Sequence, residues 1–321
     1  MSARWSMLGS LHGKPEKAHD RNQGYIYCQL WHTGRASPPS FRGGRQPRSA
    51  STLPITGNAL DGTKYSANPP KEMSVAEISE VTQNFASAAC NAIEAGFDGV
   101  EIHGANGYLL DQFLHDNVNR RTDSYGGSVE NRARFPLDVI RAVSNAIGSD
   151  RVGIRLSPYN YFQDTLDSDP VAHWSSLCEK IAALPESLRP VYVHSVEPRF
   201  DEVLDEKSKL DALAAHQDGI KVEAEATIPN SSTYSLQPFR DILQNAGIKF
   251  LAAGNFNRDN LVSKLEEDGA DVIVMGRHFI ANPDLPRRLA EGLPLNKYDR
   301  STFYGASPPE KGYTSYPTFK A

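Results

Sequence analysis

Short strand-like runs alternate with amphipathic helical stretches along most of the chain, and this rhythm restricts the fold more than any other feature. Strand-like runs occur at Tyr25–Leu30, Gly99–His103, Val152–Leu156, Val191–His194, Phe250–Ala253 and Val272–Met275. Between them, apolar residues recur at helical spacing. Ile78, Val81, Phe85, Ala89 and Ile93 form one such face, and Phe135, Val139, Val143 and Ile147 another. Strand, helix and strand in succession make a βαβ unit, and such units build a parallel sheet covered by helices. The expected fold class is therefore α/β, a (β/α)8 TIM barrel. A closed barrel needs eight strands, so this one is expected to lack its first two. No composition break divides the later sequence, which predicts one barrel domain over 24–321 after an irregular segment, 1–23.

Local signals refine the elements. Ser74 with Glu77 reads as a capping box that starts a helix, and Gly96 as its C-terminal stop. Further helices are expected at about Glu130–Ile147, Val171–Leu184, Gln237–Asn245 and Arg258–Asp268. Pro136 should bend the first of these or mark its true first turn. Asn282-Pro283 looks like the cap and first position of a last short helix. The stretch from Gly34 to about Lys71, rich in Pro, Gly, Ser and Arg, reads as a loop. Its Arg35, Arg42, Arg45 and Arg48 suggest a mobile solvated lid rather than a nucleic-acid arm.

Composition removes several function classes. A net charge of −5 argues against a protein that grips nucleic acid. Cys28, Cys90 and Cys178 show no C-x-x-C spacing, which argues against a disulfide framework or zinc site and for a reducing compartment. His12, His19 and His32 are not at metal-ligand spacing and read as solvent-exposed, so no metal is expected. No apolar run approaches the ~20 residues that span a bilayer. The first thirteen residues carry no secretion-signal core, so no membrane association is expected and the predicted location is cytoplasmic. The acceptor pattern Asn230-Ser231-Ser232 then reads as chance.

The residues able to do chemistry fall where strands end: Gln29, His103, Arg155, Gly254-Asn255 and Gly276-Arg277. In an α/β barrel the C-terminal strand ends and the loops after them build the active site. His103 and Asn106 supply two donors able to meet at one oxygen, and Tyr108 places a phenol two residues further on. That set suits stabilising a developing enolate while a proton is delivered nearby. The blander readings are a hydrogen-bonded strand-end histidine and ordinary glycine turns. His194 also ends a strand and reads as structural. No G-x-G-x-x-G follows a strand, so no separate dinucleotide-binding domain is expected.

The stretch Asn119-Arg120-Arg121-Thr122-Asp123-Ser124-Tyr125-Gly126-Gly127-Ser128-Val129-Glu130-Asn131-Arg132 closely resembles the corresponding segment of the Old Yellow Enzyme family. So do Gln29 to Arg35, Gly153 to Pro158, Ala253 to Phe256, and Met275 through Asn282-Pro283-Asp284-Leu285 to Tyr298. The resemblance implies non-covalent FMN, NAD(P)H as hydride donor, and reduction of the activated C=C bond of a small enone or enal. It assigns Gln29 to the flavin pyrimidine ring and Arg155 beside that ring, where its charge favours the anionic reduced flavin. Gly254, Asn255, Gly276 and Arg277 resemble the phosphate-holding loops. His103 and Asn106 resemble the pair that grips the substrate carbonyl, and Tyr108 the tyrosine that protonates the substrate carbon. Trp31 and Tyr304 match pocket-lining positions that packing explains equally. A catalytically silent paralogue, and an isomerase or oxidase in a secondary-metabolite pathway, are the alternatives.

Without two preceding strands, Tyr25–Leu30 is expected to be an edge with unpaired backbone groups, which the apolar piece Trp5-Ser6-Met7-Leu8 would patch in part or a homodimer exchanging elements would cover. The chain should then hold sub-stoichiometric FMN, restored by upstream sequence supplying two strands. Flavin-to-protein ratio and thermal unfolding of both versions check this. A stable, fully loaded 321-residue monomer would contradict it.

Overall fold

The structure, a computed structural model, describes residues 24–59, 61–198, 234–267, 269–303 and 306–320. It divides into two units, through Phe250 and from Leu251 onward. The first opens with strand β1 (Tyr27–Leu30), then two short strands, β2 (Arg48–Ser49) and β3 (Lys71–Glu72), and helix α1 (Val75–Glu94). Next come β4 (Gly99–Gly104), α2 (Leu109–Leu114), α3 (Val129–Ile147) and β5 (Val152–Leu156). Helix α4 (Pro170–Ala182), β6 (Tyr192–Val196) and α5 (Gln237–Asn245) follow. Strands β1, β4, β5 and β6 lie side by side in that order, all parallel. The βαβ reading thus holds, with strand bounds shifted by no more than two residues.

Period-two alternation divides these strands into two faces. Leu30, Val100, Ile102, Val152, Ile154, Leu156 and Val193 form an apolar, buried face. Ile78, Phe85 and Ala89 of α1 and Phe135, Val139 and Val143 of α3 are buried as well, and these two helices pack on each other and beside the strands. Each such large side chain contributes roughly 1.5–3 kcal/mol on burial. The opposite face carries Gln29, Glu101, His103, Arg155 and His194. The register sets Gln29 beside Glu101, His103 beside Arg155, and Arg155 beside His194. A row of polar groups on a sheet otherwise built for burial marks a site.

The Ser74–Glu77 capping box forms in both directions, with Ser74 N–H donating to Glu77 Oε2 at 2.8 Å and Glu77 N–H to Ser74 Oγ at 3.2 Å. Helix α3 starts at Val129 under the Ser128 cap, so Pro136 lies inside it and does not mark its first turn. The long segment after β1 is more ordered than a loop. It contains 3-10 turns and the parallel β2–β3 pair. Arg35 departs from the solvated-lid expectation: it is 3% exposed and donates to Leu53 O at 3.1 Å and Gln163 O at 2.7 Å. Arg48 pairs with Glu77, which leaves Arg45 as the exposed member of the four. The motif arginines are also internal fasteners. Arg121 donates to Ala50 O and Met73 O, and Arg132 to Leu114 O and Gly127 O.

Strand β7 (Lys249–Ala253) begins in the first unit, where Lys249 N–H donates to Val191 O at 3.0 Å. In the second unit Leu251–Ala253 pairs in parallel with β8 (Val272–Val274), on either side in sequence of α6 (Arg258–Glu266). Two short helices follow, α7 (Arg277–Ala281) and α8 (Leu285–Glu291). Asn282 does not cap the last helix as expected; Asp284 stands at that cap. The fully buried Asn282 closes the end of α7 instead, donating to His278 O at 2.8 Å and accepting from Asn296 N–H at 2.7 Å. An amide side chain can do both at once, which makes it a better buried tie than a helix cap. No described helix is long and apolar enough to cross a membrane.

Gly153 on the polar face is set by close approach. A Cβ there would fall inside the Tyr192 ring, which stacks at a tilt against Tyr27 with centroids 5.6 Å apart. Gly153→Ala should destabilise the protein by roughly 1–3 kcal/mol through overpacking, read as a lowered urea midpoint. An unchanged midpoint would mean that the Tyr192 ring lies elsewhere.

Candidate active site

The chain leaves β4 through a turn that is sterically unusual. Asn106 and Gly107 both lie in the left-handed region, at φ of 58° and 73°. Asparagine tolerates this conformation better than other side-chain-bearing residues. At Gly107 a Cβ would also come within 2.6 Å of Phe162 O. Buried side chains hold the turn. Asn106 N–H donates to Ser157 Oγ at 2.8 Å and Gly107 N–H to Asp111 Oδ2 at 2.7 Å. Gln112 Nε2 donates to Gly107 O at 2.7 Å.

These contacts also fix which atoms the turn offers. Phe162 N–H donates to Asn160 Oδ1 at 2.9 Å, so the amino end of Asn160 faces away from it. That amino group donates to Asn106 Oδ1 at 3.0 Å. With its oxygen so occupied, Asn106 presents its NH2 group as a donor. Tyr108, half-buried, follows at the start of α2. Its ring lies 5.3 Å from that of His103 and edge-on to Trp31 at 4.9 Å. Trp31 is 54% exposed, which places this pair at the mouth of the site.

The electrostatics follow from burial. His103 is 5% exposed, and its Nδ1 has no hydrogen-bond partner among the described residues. Burial, with the nearby Arg155 charge, holds its imidazole down at about 3, so it is neutral near pH 7. His32 is not the solvent-exposed residue expected. It is half-buried, its Nδ1 accepts from Gly34 N–H at 3.0 Å, and burial with Arg42 and Arg48 holds it at about 4. Beyond the turn, His115 is fully buried between Asp111 Oδ1, 3.2 Å from Nε2, and Asp167 Oδ2, 2.9 Å from Nδ1. Burial works against its charge, but the two carboxylates outweigh it and raise His115 to about 10. Asp116, Asp167 and His173 bring possible ligand atoms within 4.8 Å of one another. Arg132 Nη2, 3.1 Å from both His173 ring nitrogens, already sets a cation there.

The first unit thus brings together Gln29, Trp31, His103, Asn106, Tyr108 and Arg155. The polar row fits a flavin ring: it holds an amide at Gln29, a guanidinium at Arg155, and buried ring nitrogens of His103 and His194 without hydrogen-bond partners among the described residues. The second unit carries Gly254 and Asn255 in a positive-φ turn after β7, at 145° and 54°. Gly276 precedes α7 with open space where a Cβ would stand, and Arg277 is next. Tyr304 lies outside the described residues. Sequence reasoning missed Glu101, Ser157, Asn160, Asp111 and Gln112, which hold the site rather than line it. Glu101 gave one signal, as a charge inside a strand run, two residues before His103.

Comparison with known proteins sets the class. The chain is 34% identical to morphinone reductase solved with tetrahydroNAD, at a TM-score of 0.76, covering 100% of this chain and 78% of that one. A homologue of old yellow enzyme from Zymomonas mobilis superposes equally, at a TM-score of 0.76 and 33% identity over 94% of this chain and 76% of the other. These likenesses define an α/β-barrel flavin oxidoreductase. Flavin oxidoreductase hxnT of Emericella nidulans is 60% identical over 294 residues, 92% of this chain and 73% of that protein. For 12-oxophytodienoate reductase 2 of Arabidopsis thaliana the identity is 40% over 303 residues, 93% and 72% of the two chains. Residues 15–296 match the NADH:flavin oxidoreductase / NADH oxidase family, and the chain belongs to that family, as a member of Old Yellow Enzyme type. It is an FMN-dependent oxidoreductase that uses NAD(P)H as hydride donor.

The two histidines should titrate in opposite senses. His103 has a folded pKa below its unfolded value, so stability is lost as pH falls below about 6.5, where the unfolded chain binds a proton that the folded one does not. His115 has a raised folded pKa. Its contribution is complete below about 6.5 and is lost as pH rises through about 10. NMR of the imidazole protons should show neither ring titrating between about pH 5 and 8. A midpoint near 6.5 for either would contradict this assignment.

Proposed function

We propose that this flavin oxidoreductase reduces the activated C=C bond of α,β-unsaturated carbonyl compounds, enones or enals. The observation that carries the reading is the turn after β4. The Tyr108 ring that it carries lies 5.3 Å from that of His103 at the end of β4, and buried partners orient the Asn106 amide so that its amino group is free to donate. When bound, FMN would supply the hydride for the β-carbon, with NAD(P)H as its source. His103 and Asn106 hold the substrate oxygen and stabilise the charge that gathers on it. A neutral imidazole suits this role, because it donates an N–H without introducing a full charge. The Tyr108 hydroxyl gives the proton to the α-carbon. Gln29 and Arg155 would hold the pyrimidine edge of the cofactor, and Trp31 would border the substrate. Gly254, Asn255, Gly276 and Arg277 would take its phosphate, through backbone N–H groups and one guanidinium. The solved complex of morphinone reductase with tetrahydroNAD supports a nicotinamide ligand for this kind of site.

Tyr108→Phe keeps the ring contacts with Trp31 and His103 and removes only the hydroxyl. In stopped-flow measurements it should slow flavin re-oxidation by an enone and leave reduction by NADPH nearly intact. His103→Ala should cost roughly 10²–10³-fold in enone turnover. Equal losses in both half-reactions for Tyr108→Phe, or unchanged turnover for His103→Ala, would contradict these roles. Arg277→Ala should weaken FMN binding, measured by flavin fluorescence, far more than it slows the flavin-saturated enzyme.

A further inference from the structure

Glu101 stands on the polar face of β4, two residues before His103, and three neighbouring strands converge on its carboxylate. Gln29 Nε2 from β1 donates to Oε1 at 2.6 Å, and His194 Nδ1 from β6 donates to Oε2 at 3.0 Å. The charge of Arg155 on β5 acts on the same group. Burial pushes this carboxyl up, but the His194 and Gln29 hydrogen bonds and the Arg155 charge outweigh it and hold it at about 2.

A carboxylate can only accept hydrogen bonds. The end of the Gln29 amide that meets it must therefore be the NH2 group, and the His194 nitrogen that meets it must carry the hydrogen. The other ends are then determined. Gln29 turns its carbonyl oxygen away from Glu101. His194 is kept neutral by burial, so its Nε2, buried and without a hydrogen-bond partner among the described residues, is an acceptor.

We propose that Glu101 is a positioning residue of the cofactor pocket, fixing an acceptor at Gln29, a cation at Arg155 and an acceptor at His194, and partly offsetting the Arg155 charge felt by the ring. Such an edge takes a heterocycle that presents a ring N–H beside a carbonyl, as the pyrimidine ring of a flavin does. The inference rests on the flavin site proposed above and adds that a buried carboxylate, rather than Arg155 alone, sets the reduction potential of the bound ring. A negative charge near the ring disfavours its anionic reduced form, so removing that charge raises the potential.

The test compares FMN-saturated wild type, Glu101→Gln and Glu101→Asp by midpoint potential. The near-isosteric Glu101→Gln should favour reduced over oxidised flavin about tenfold more than wild type does, a rise of about 30 mV for a two-electron couple. Glu101→Asp keeps the charge and should stay close to wild type. A lowered thermal midpoint with no change in potential for Glu101→Gln would overturn the proposal and leave Glu101 a purely structural residue. If wild type takes up no FMN, the flavin-site reading falls, and NMR of His194 in the unliganded wild type decides the rest. A neutral ring protonated at Nδ1 supports the network; an imidazolium or an Nε2–H tautomer overturns it.

Discussion

The amide of Gln112 is fully buried and uses all of its capacity on backbone and side chains that the site depends on. Its oxygen accepts from Arg35 N–H at 3.1 Å and Ser49 Oγ at 2.9 Å, and its nitrogen donates to Gly107 O at 2.7 Å and Thr33 O at 3.3 Å. One side chain therefore ties together the segment after β1, the β2 strand and the left-handed turn after β4. A buried amide that lost any of these partners would leave an unsatisfied group, at a cost of about 1–3 kcal/mol. That penalty fixes one arrangement of the three segments. Trp31 lies on the first and Tyr108 just beyond the third, so their edge-on contact at 4.9 Å follows from the same hub.

From that hub outward the site is held in shells of decreasing burial. Asp111, fully buried, grips Gly107 and is matched by the charge of His115. Ser157 and Asn160 orient Asn106. Glu101 gathers Gln29 and His194. Of the groups that would meet ligand, the His103 Nδ1 has no hydrogen-bond partner among the described residues, and the Trp31 and Tyr108 rings are partly exposed. This order is what preorganisation requires, because the groups that would do the chemistry are positioned before any ligand arrives.

The strands were legible because period-two patterning and β-branched runs are local properties, and Ser74–Glu77 was legible because a capping box is contained in four residues. His103, Asn106 and Tyr108 were legible because one turn carries all three. The partners of that turn were not. Ser157 and Asn160 lie about fifty residues away in sequence, and Gln112 reads simply as a helix residue. The basic segment misled for a related reason. Four arginines in a stretch rich in Pro and Gly look solvated, yet Arg35 finds carbonyls at Leu53 and Gln163, the latter 128 residues on. Asn282-Pro283 carried a helix-start pattern that a long-range tie to Asn296 overrode.

The central claim is that the polar row across β1, β4 and β5 is a flavin-binding edge and not a buried structural network. Fluorescence titration of FMN into wild type, Gln29→Ala and Arg155→Ala tests it most directly. Each substitution removes a group proposed for the pyrimidine edge and spares Gln112 and its partners. The account predicts that both variants remain folded and bind FMN at least about tenfold more weakly than wild type, a loss near 1.4 kcal/mol each. Wild-type affinity in both folded variants would contradict it.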